Sequence, residues 1–273
     1  MDLLVFDLDG TLLDAESKLS TFTRDTLAML AKRGIAYTVA TGRTLYEARD
    51  LLAGAGFGRP QIYKNGVVIF NPERDSYSHR YLLTHQEIEH VIAAIFKQNV
   101  RPFVFTLDEQ DRHAVYHAPN MSTREQQLAT MIEKKRGVPV LPLAQLPADC
   151  DITNISAISS PQQILAITEL VADEPHLVAY CGPAMEGSGL YWLDVHHSDG
   201  SKGAAVNTLR QELGASRVIC FGDGDNDLSM FASADESYAP QNAKPALKTS
   251  ATAVIEHHDA DGVARFIRER FDL

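Results

Sequence analysis

The sequence has few cysteines, a single tryptophan and no excess of positive charge. Its three cysteines, Cys150, Cys181 and Cys220, are scattered and lack the spacing of metal ligands. This pattern predicts reduced thiols, as is typical of a cytoplasmic protein. With 25 Lys and Arg against 36 Asp and Glu, the formal net charge is −11. The electrostatic footprint of a protein that binds nucleic acid or an anionic membrane is therefore missing.

Long apolar runs are also missing. No stretch approaches the roughly 20 apolar residues of a membrane-spanning helix, and the first strand-like run already begins at Leu3, so we expect neither a signal peptide nor a membrane partner. The 273 residues are nevertheless 45% hydrophobic, which is enough for one large domain or two modest ones. Oligomeric state has no signature in the sequence.

The order of apolar segments predicts an α/β fold with a Rossmann-like parallel-sheet core. The run Leu3–Phe6 is typical of a strand buried on both faces, and a helix ending at Gly34 separates it from a second buried strand at 35–40. The middle of the chain instead mixes helices with strands that we expect to be antiparallel, which indicates an inserted α+β cap domain. The predicted domains are 1–82 and 189–273 for the core and 83–188 for the cap.

Two carboxylates follow the first predicted strand. Asp7 and Asp9 are two residues apart, so on an extended chain their side chains point the same way, about 7 Å apart. Ligands of open α/β sheets bind at the carboxyl ends of the strands, where carboxylate oxygens suit Mg²⁺. The alternative is that Asp-Leu-Asp-Gly-Thr is only a polar turn after a core strand.

Three further motifs follow predicted strands or begin helices. Thr41 and Gly42 can hold an anionic oxygen at a helix N-terminus, although a helix cap followed by a solvated arginine fits this motif equally well. Lys202 begins a helix, where the helix dipole disfavours a cation, so it is either functional or a surface residue. The segment 222–227 carries three carboxylates directly after an apolar strand, a density that is costly unless a cation is bound.

Taken together and in this order, the motifs Asp-x-Asp-Gly-Thr, Ala-Thr-Gly-Arg, Lys-Gly and Gly-Asp-x-x-Asn-Asp resemble those of haloacid dehalogenase (HAD) superfamily phosphatases. The closest resemblance is to the Cof-type subfamily, whose C2-type cap is inserted after the third core strand. It covers essentially the whole chain and includes Asn65-Gly66, Asn242-Ala243 and Asp261-Gly262-Val263. One departure is Ala239-Pro240-Gln241, where relatives often carry a Met and a Gly. This departure puts a phosphate contact from Asn242 in doubt.

The resemblance implies a HAD-like core and a role for each motif residue. Asp7 would be the nucleophile that forms an aspartyl-phosphate, and Asp9 would be the general acid and then the general base. Mg²⁺ would be held by the side chains of Asp7 and Asp223 and by the backbone carbonyl of Asp9. Asp227 would be a further ligand or would lie directly behind the ligands. The residues implied to bind the substrate phosphate are Thr41, Gly42, Lys202 and Asn226.

The resulting hypothesis is a Mg²⁺-dependent phosphatase that hydrolyses small phosphorylated metabolites, with sugar phosphates favoured. One alternative is a phosphomutase, which uses the same nucleophile and acid but retains the phosphoryl group. Another is a non-enzymatic phospho-receiver or metabolite sensor, which would need neither Asp9 nor a large inserted domain. The cap would set specificity, so the core motifs do not name the substrate.

Other candidate residues have weaker patterns. We do not predict metal sites at His196-His197 or His257-His258, because adjacent side chains on a strand point to opposite faces. Arg43 is left out of catalysis, either orienting the site loop or pairing with a local acid. The glycine-rich segment 182–189 is typical of a mobile lid or a plain surface loop, and we expect its residues Met185 and Glu186 to influence substrate choice.

Overall fold

The computed structural model describes residues 1–184 and 189–273 and divides into two compact units. The core unit comprises Met1–Arg80 and Gly200–Leu273, and the inserted unit comprises Tyr81–Asp199. The sequence-based boundary at 188/189 differs from this division, because the strand Tyr191–His197 pairs with two strands of the inserted unit. The predicted lid residues Met185 and Glu186 lie outside the described residues.

The described strands and helices alternate along the chain. In chain order the strands are β1 (Asp2–Phe6), β2 (Ala36–Val39), β3 (Gln61–Tyr63), β4 (Val68–Asn71), β5 (Ser76–Arg80), β6 (Phe103–Leu107), β7 (His113–His117), β8 (Val140–Pro142), β9 (Ile152–Ser159), β10 (Leu177–Pro183), β11 (Tyr191–His197), β12 (Arg217–Phe221), β13 (Glu236–Pro240) and β14 (Ala253–Ile255). The helices are α1 (Thr21–Lys32), α2 (Leu45–Leu52), α3 (His85–Lys97), α4 (Thr123–Arg136), α5 (Pro161–Ala172), α6 (Lys202–Glu212), α7 (Leu228–Ser233), α8 (Pro245–Ser250) and α9 (Gly262–Phe271).

The core unit is built on a parallel sheet in the order β14-β13-β12-β1-β2. Its central strand β1 is fully buried from Leu3 to Phe6, which confirms the strand predicted from that apolar run. A bridge from Ala40 to Ile62 continues the parallel pairing to β3, which begins the small antiparallel sheet β3-β4-β5. The α/β core with parallel strands is thus confirmed.

The inserted unit contains a sheet in the order β10-β11-β9-β6-β7-β8, antiparallel except between β7 and β8. Helices α3 and α5 cover one face through a shared apolar cluster that includes Ile88, Ile164 and Val195. Helix α4 packs on the opposite face, against Phe103 of β6 and Val115 of β7. This arrangement confirms the predicted α+β character of the middle of the chain.

None of the helices in the described ranges is both long enough and apolar enough to cross a membrane.

Candidate active site

The site lies where the direction of strand addition in the core sheet reverses. From β1 the chain adds β2 on one side, and the later strands β12, β13 and β14 extend the other side. Open α/β sheets bind ligands at such a switch point, outside the carboxyl ends of the strands. Asp7 directly follows β1 and Asp223 follows the neighbouring strand β12, because these two parallel strands end in register at Phe6 and Phe221.

Lys202 is the centre of the site. Its Nζ donates hydrogen bonds to Oδ1 of Asp7 at 2.5 Å and to Oδ1 of Asp227 at 2.6 Å, and the lysine side chain is fully buried. The position at the start of α6 is unfavourable for a cation, so the two carboxylates supply the compensation. Lys202 is therefore not a surface residue.

A glycine turn allows Lys202 to be placed there. Asn65 and Gly66 both have positive φ angles, of 58° and 110°, in the turn after β3. A Cβ atom on Gly66 would collide with the backbone carbonyl of Ser201, the residue directly before Lys202. The turn can therefore lie against the start of α6 only because residue 66 has no side chain.

Asp7, Asp223 and Asp227 form an acidic cluster in which one carboxylate oxygen of each lies within 4.8 Å of the others. Burial raises the pKa of Asp223 to about 6, and the neighbouring carboxylate of Asp227 adds to this effect. Burial likewise raises the pKa of Asp7, although Lys202 opposes the shift. Burial alone would lower the pKa of Lys202, but Asp227 and Asp7 outweigh it and raise the pKa. A single lysine thus leaves the cluster with uncompensated negative charge.

The donor set fits a hard divalent cation such as Mg²⁺, which prefers oxygen ligands. Gly10 has a φ of 73°, and a Cβ atom there would collide with Oδ2 of Asp223, so the backbone of the Asp9-Gly10 turn lies directly against that carboxylate. Both oxygens of Asp227 already accept hydrogen bonds, Oδ1 from Lys202 and Oδ2 from the N–H groups of Asp223 and Gly224. This geometry favours Asp227 as a residue that orients Lys202 and the 223–224 loop.

Asp9 forms a bidentate pair with Arg43. The guanidinium donates from Nε to Oδ2 of Asp9 at 2.7 Å and from a terminal nitrogen to Oδ1 at 2.5 Å. Hydrogen bonding to Asp9 raises the pKa of Arg43 despite partial burial. Of the two alternatives stated for Arg43, orienting the site loop or pairing with a local acid, the structure shows the pair with an acid, and the partner is the residue expected to be the general acid. The position of Arg43 after β2, the neighbour of β1, was the signal available for this contact.

Asn65 connects the loops that carry the remaining predicted phosphate contacts. Its Oδ1 accepts a hydrogen bond from Nδ2 of Asn226 at 2.9 Å, and a Cβ atom on Gly42 would approach the same oxygen to 3.1 Å. Thr41 is buried, and its Oγ1 accepts from the N–H of Arg43 at 3.1 Å. The resemblance included Asn65-Gly66 but assigned Asn65 no role. Its signal was the Asn-Gly pair, which favours a left-handed conformation.

The side chain of Asn242 is bonded to backbone groups at both ends. Its Nδ2 donates to the carbonyl of Gly10 at 2.7 Å, and its Oδ1 accepts from the N–H of His258 at 3.2 Å. Asn242 therefore fixes the turn that holds Asp9. The pair His257-His258 lies at a short 3₁₀ turn and not on a strand, so the reasoning from strand geometry does not apply to it.

The whole chain is similar to known proteins in sequence and in fold. Residues 4–267 match the family of haloacid dehalogenase-like hydrolases. The 5-amino-6-(5-phospho-D-ribitylamino)uracil phosphatase YwtE of Bacillus subtilis (strain 168) is 27% identical over 98% of this chain and 97% of its own. The pyridoxal phosphate phosphatase YbhA of Escherichia coli (strain K12) is 24% identical over 97% of this chain and 96% of its own. The solved structure of the HAD subclass IIB sugar phosphatase BT4131 superposes with a TM-score of 0.75 and is 19% identical. The match covers 100% of this chain and 99% of that chain, which shows a shared fold.

Proposed function

Because this chain belongs to the haloacid dehalogenase-like hydrolases and is a phosphatase of that family, we propose that it hydrolyses small phosphorylated metabolites through an aspartyl-phosphate on Asp7. The observation that carries the proposal is the buried Lys202 between Asp7 and Asp227. It fixes one oxygen of Asp7, so the other oxygen is oriented as a nucleophile. It also supplies positive charge for a phosphoryl group in a chain whose net charge is −11.

Mg²⁺ would be held by Asp7, Asp223 and the backbone carbonyl of Asp9, and when bound it would neutralise the phosphoryl oxygens and the nucleophile so that they can approach. Asp227 would keep Lys202 and the 223–224 loop in place. Thr41, Gly42 and Asn226 would then bind phosphoryl oxygens. The fit of three hard carboxylates with one lysine supports this assignment.

Hydrolysis requires two proton transfers, and Asp9 is the proposed group for both. In the first step a carboxylate oxygen of Asp7 bonds to phosphorus, the ester P–O bond breaks, and the proton of Asp9 goes to the leaving alkoxide. In the second step Asp9 takes a proton from a water molecule as the water oxygen bonds to phosphorus, the P–O bond to Asp7 breaks, and inorganic phosphate leaves with Asp7 regenerated as a carboxylate. Arg43 orients Asp9 as a carboxylate, so the pair must loosen when Asp9 carries the proton.

We propose sugar phosphates as the favoured substrates. The relatives named above are an aminouracil ribityl phosphate phosphatase, a pyridoxal phosphate phosphatase and a sugar phosphatase, which supports small metabolites as the substrate class. The scattered free cysteines and acidic charge support a cytoplasmic enzyme that binds neither nucleic acid nor membrane. The cap predicted at 83–188 would be the inserted unit, for which the structure gives Tyr81–Asp199.

A screen of phosphorylated metabolites with Mg²⁺ tests this function. Inorganic phosphate should be released from single substrates, with kcat/KM highest for alkyl phosphates of small metabolites. Transfer of the phosphoryl group within the substrate, with no release, would identify the phosphomutase instead. Stable phosphorylation without turnover would identify the phospho-receiver. An Asp7→Asn variant is the negative control for contaminating phosphatase.

A further inference from the structure

One part of the inserted sheet has no helix packed on it within the described residues. Alternate side chains of β9, β11 and β10 enter the apolar cluster beneath α3 and α5, as Ala157, Leu193 and Ala179 do. The intervening side chains point to the opposite face, where the described apolar contacts of α4 are with β6, β7 and β8. This open face is defined here by Asn154, Tyr180, Gly182, Trp192 and Asp194.

Trp192 is the only tryptophan of the chain and lies half-buried on the open face. It is paired with Gly182 across the β10–β11 ladder. A Cβ atom on Gly182 would lie 3.2–3.4 Å from three atoms of the indole, so the ring lies across the glycine backbone. Any larger residue at 182 would crowd the indole in this position. One side of the ring rests on the strand, and the ligand proposed below would contact its other side.

Asp194 is two residues further along β11, so its side chain projects from the same face of the sheet as the indole. The Asn154 amide donates a hydrogen bond to Oδ1 of Asp194 and fixes the orientation of the carboxylate. Within the described ranges, no hydrogen bond or ion pair reaches Oδ2 of Asp194. On its other side stands Tyr180, directly opposite in the ladder, with its ring 5.5 Å from that of His196.

The negative charge of Asp194 on this face favours a positively charged ligand. Strands β6, β9, β10 and β11 contain no Lys or Arg, so no side-chain cation of these strands competes for Asp194. A carboxylate with an oxygen available for hydrogen bonding, set between two aromatic rings, attracts a protonated amine. The ammonium can donate to the carboxylate, and an adjacent indole face adds a cation–π contact, for which tryptophan is the best ring.

We propose that this open face binds the ammonium group of a small amine-bearing ligand, with Asp194 as the anchor and Trp192 as the stacking surface. The inference concerns the inserted unit alone and does not require the phosphatase reaction. A neutral ligand of the same shape should bind weakly, because it lacks the charge that Asp194 selects.

The fluorescence of Trp192 reports binding directly, since no other tryptophan is present. Benzylamine and benzyl alcohol are matched probes that differ in the ammonium group. They are titrated into the full chain at constant ionic strength, without any phosphate ester. We expect saturable change with benzylamine and at least ten-fold weaker binding of the alcohol. Equal binding of both probes would overturn the proposal.

Asp194→Asn keeps the shape of the side chain and removes its charge. We expect this variant to lose the preference for benzylamine, whereas Glu169→Gln, an exposed substitution on α5, should keep it. A melting curve shows whether Asp194→Asn is folded, and if it is not, the comparison of the two probes on the unaltered protein decides. Preference for benzylamine that survives in folded Asp194→Asn would refute the assignment of the anchor.

Inhibition of phosphate release then identifies the source of the amine. Competition between benzylamine and a phosphate ester would mean that the site binds the part of the substrate that leaves. Inhibition or activation with unchanged KM would mean a separate effector. Both results require the saturable amine binding above, and an inactive phosphatase would leave the binding measurement unaffected.

Discussion

Asp223→Asn should make the metal-free protein more stable at neutral pH. The folded state raises the pKa of this carboxyl from 3.8 to about 6, so the folded protein holds the proton more tightly than the unfolded chain does. A raised carboxyl pKa favours the fold at low pH, and this contribution is lost as pH rises from about 4 through about 6. The shift of about two units corresponds to roughly 3 kcal/mol at pH 7.

Asparagine resembles the protonated carboxyl and cannot ionise, so the variant should recover most of this free energy. In EDTA at pH 7 we expect the variant to unfold with a free energy larger by roughly 2–3 kcal/mol, or a Tm higher by roughly 5–10 °C. At pH 4.5 the difference should shrink, because the native carboxyl is then mostly protonated. Urea denaturation at both pH values measures this, and added Mg²⁺ should stabilise the native protein more than the variant.

Asp225→Asn is the matched control in the same loop. Asp225 is about half exposed and pairs with Lys244 at 2.6 Å, so its removal should change stability by less than about 1 kcal/mol at either pH. The reasoning would be refuted if Asp223→Asn were no more stable than the native protein in EDTA at pH 7. A stability difference that did not change between pH 4.5 and 7 would equally exclude ionisation as its cause.

Three further predictions test other parts of the site. Lys202→Met should cost about 3–5 kcal/mol of unfolding free energy, because it leaves two buried carboxylates without their cation. The control Lys244→Met, at an exposed lysine, should cost under about 1 kcal/mol, and urea denaturation measures both values. Asp9→Asn should slow the first step by a factor of about 10²–10⁴ for alkyl phosphates and far less for aryl phosphates. Equal reductions of the two first-step rates, measured by rapid quench, would show that Asp9 is not the general acid. Arg43→Gln should lower kcat more than it changes KM, and more for alkyl than for aryl esters; a KM effect alone would make Arg43 a binding residue.

The parts of the fold predicted from sequence were those with strong local patterns. The run Leu3–Phe6 has no polar residue and is found as a fully buried strand, because only a doubly covered strand tolerates such a sequence. The predicted end of the cap at 188 stays a prediction. In the structure the strand 191–197 pairs with β9 and β10, and such antiparallel pairing has no local signature in the sequence.

The acidic residues of the site could be named from the sequence, but their hydrogen-bond and ion-pair partners could not. Lys202 and Asp227 are 25 residues apart, and Lys202 and Asp7 are 195 apart, so their contacts depend on the strand order. The contact of Arg43 with Asp9 depends on β1 and β2 being neighbours, and that of Asn65 with Asn226 spans 161 residues. Long-range hydrogen bonds of this kind have no local signature, although each residue lies in a visible motif.

The central claim is that Asp7 becomes phosphorylated, and trapping that species tests it most directly. The Asp9→Asn variant is mixed with an aryl phosphate and Mg²⁺, quenched in acid within milliseconds, and digested for mass spectrometry. Because the second step needs Asp9 as a base, the phosphoryl group should accumulate on the peptide that contains Asp7, and Asp7→Asn in the same background should abolish it. Turnover with no phosphoryl group on Asp7 at any quench time would contradict the account, since water would then attack the substrate directly.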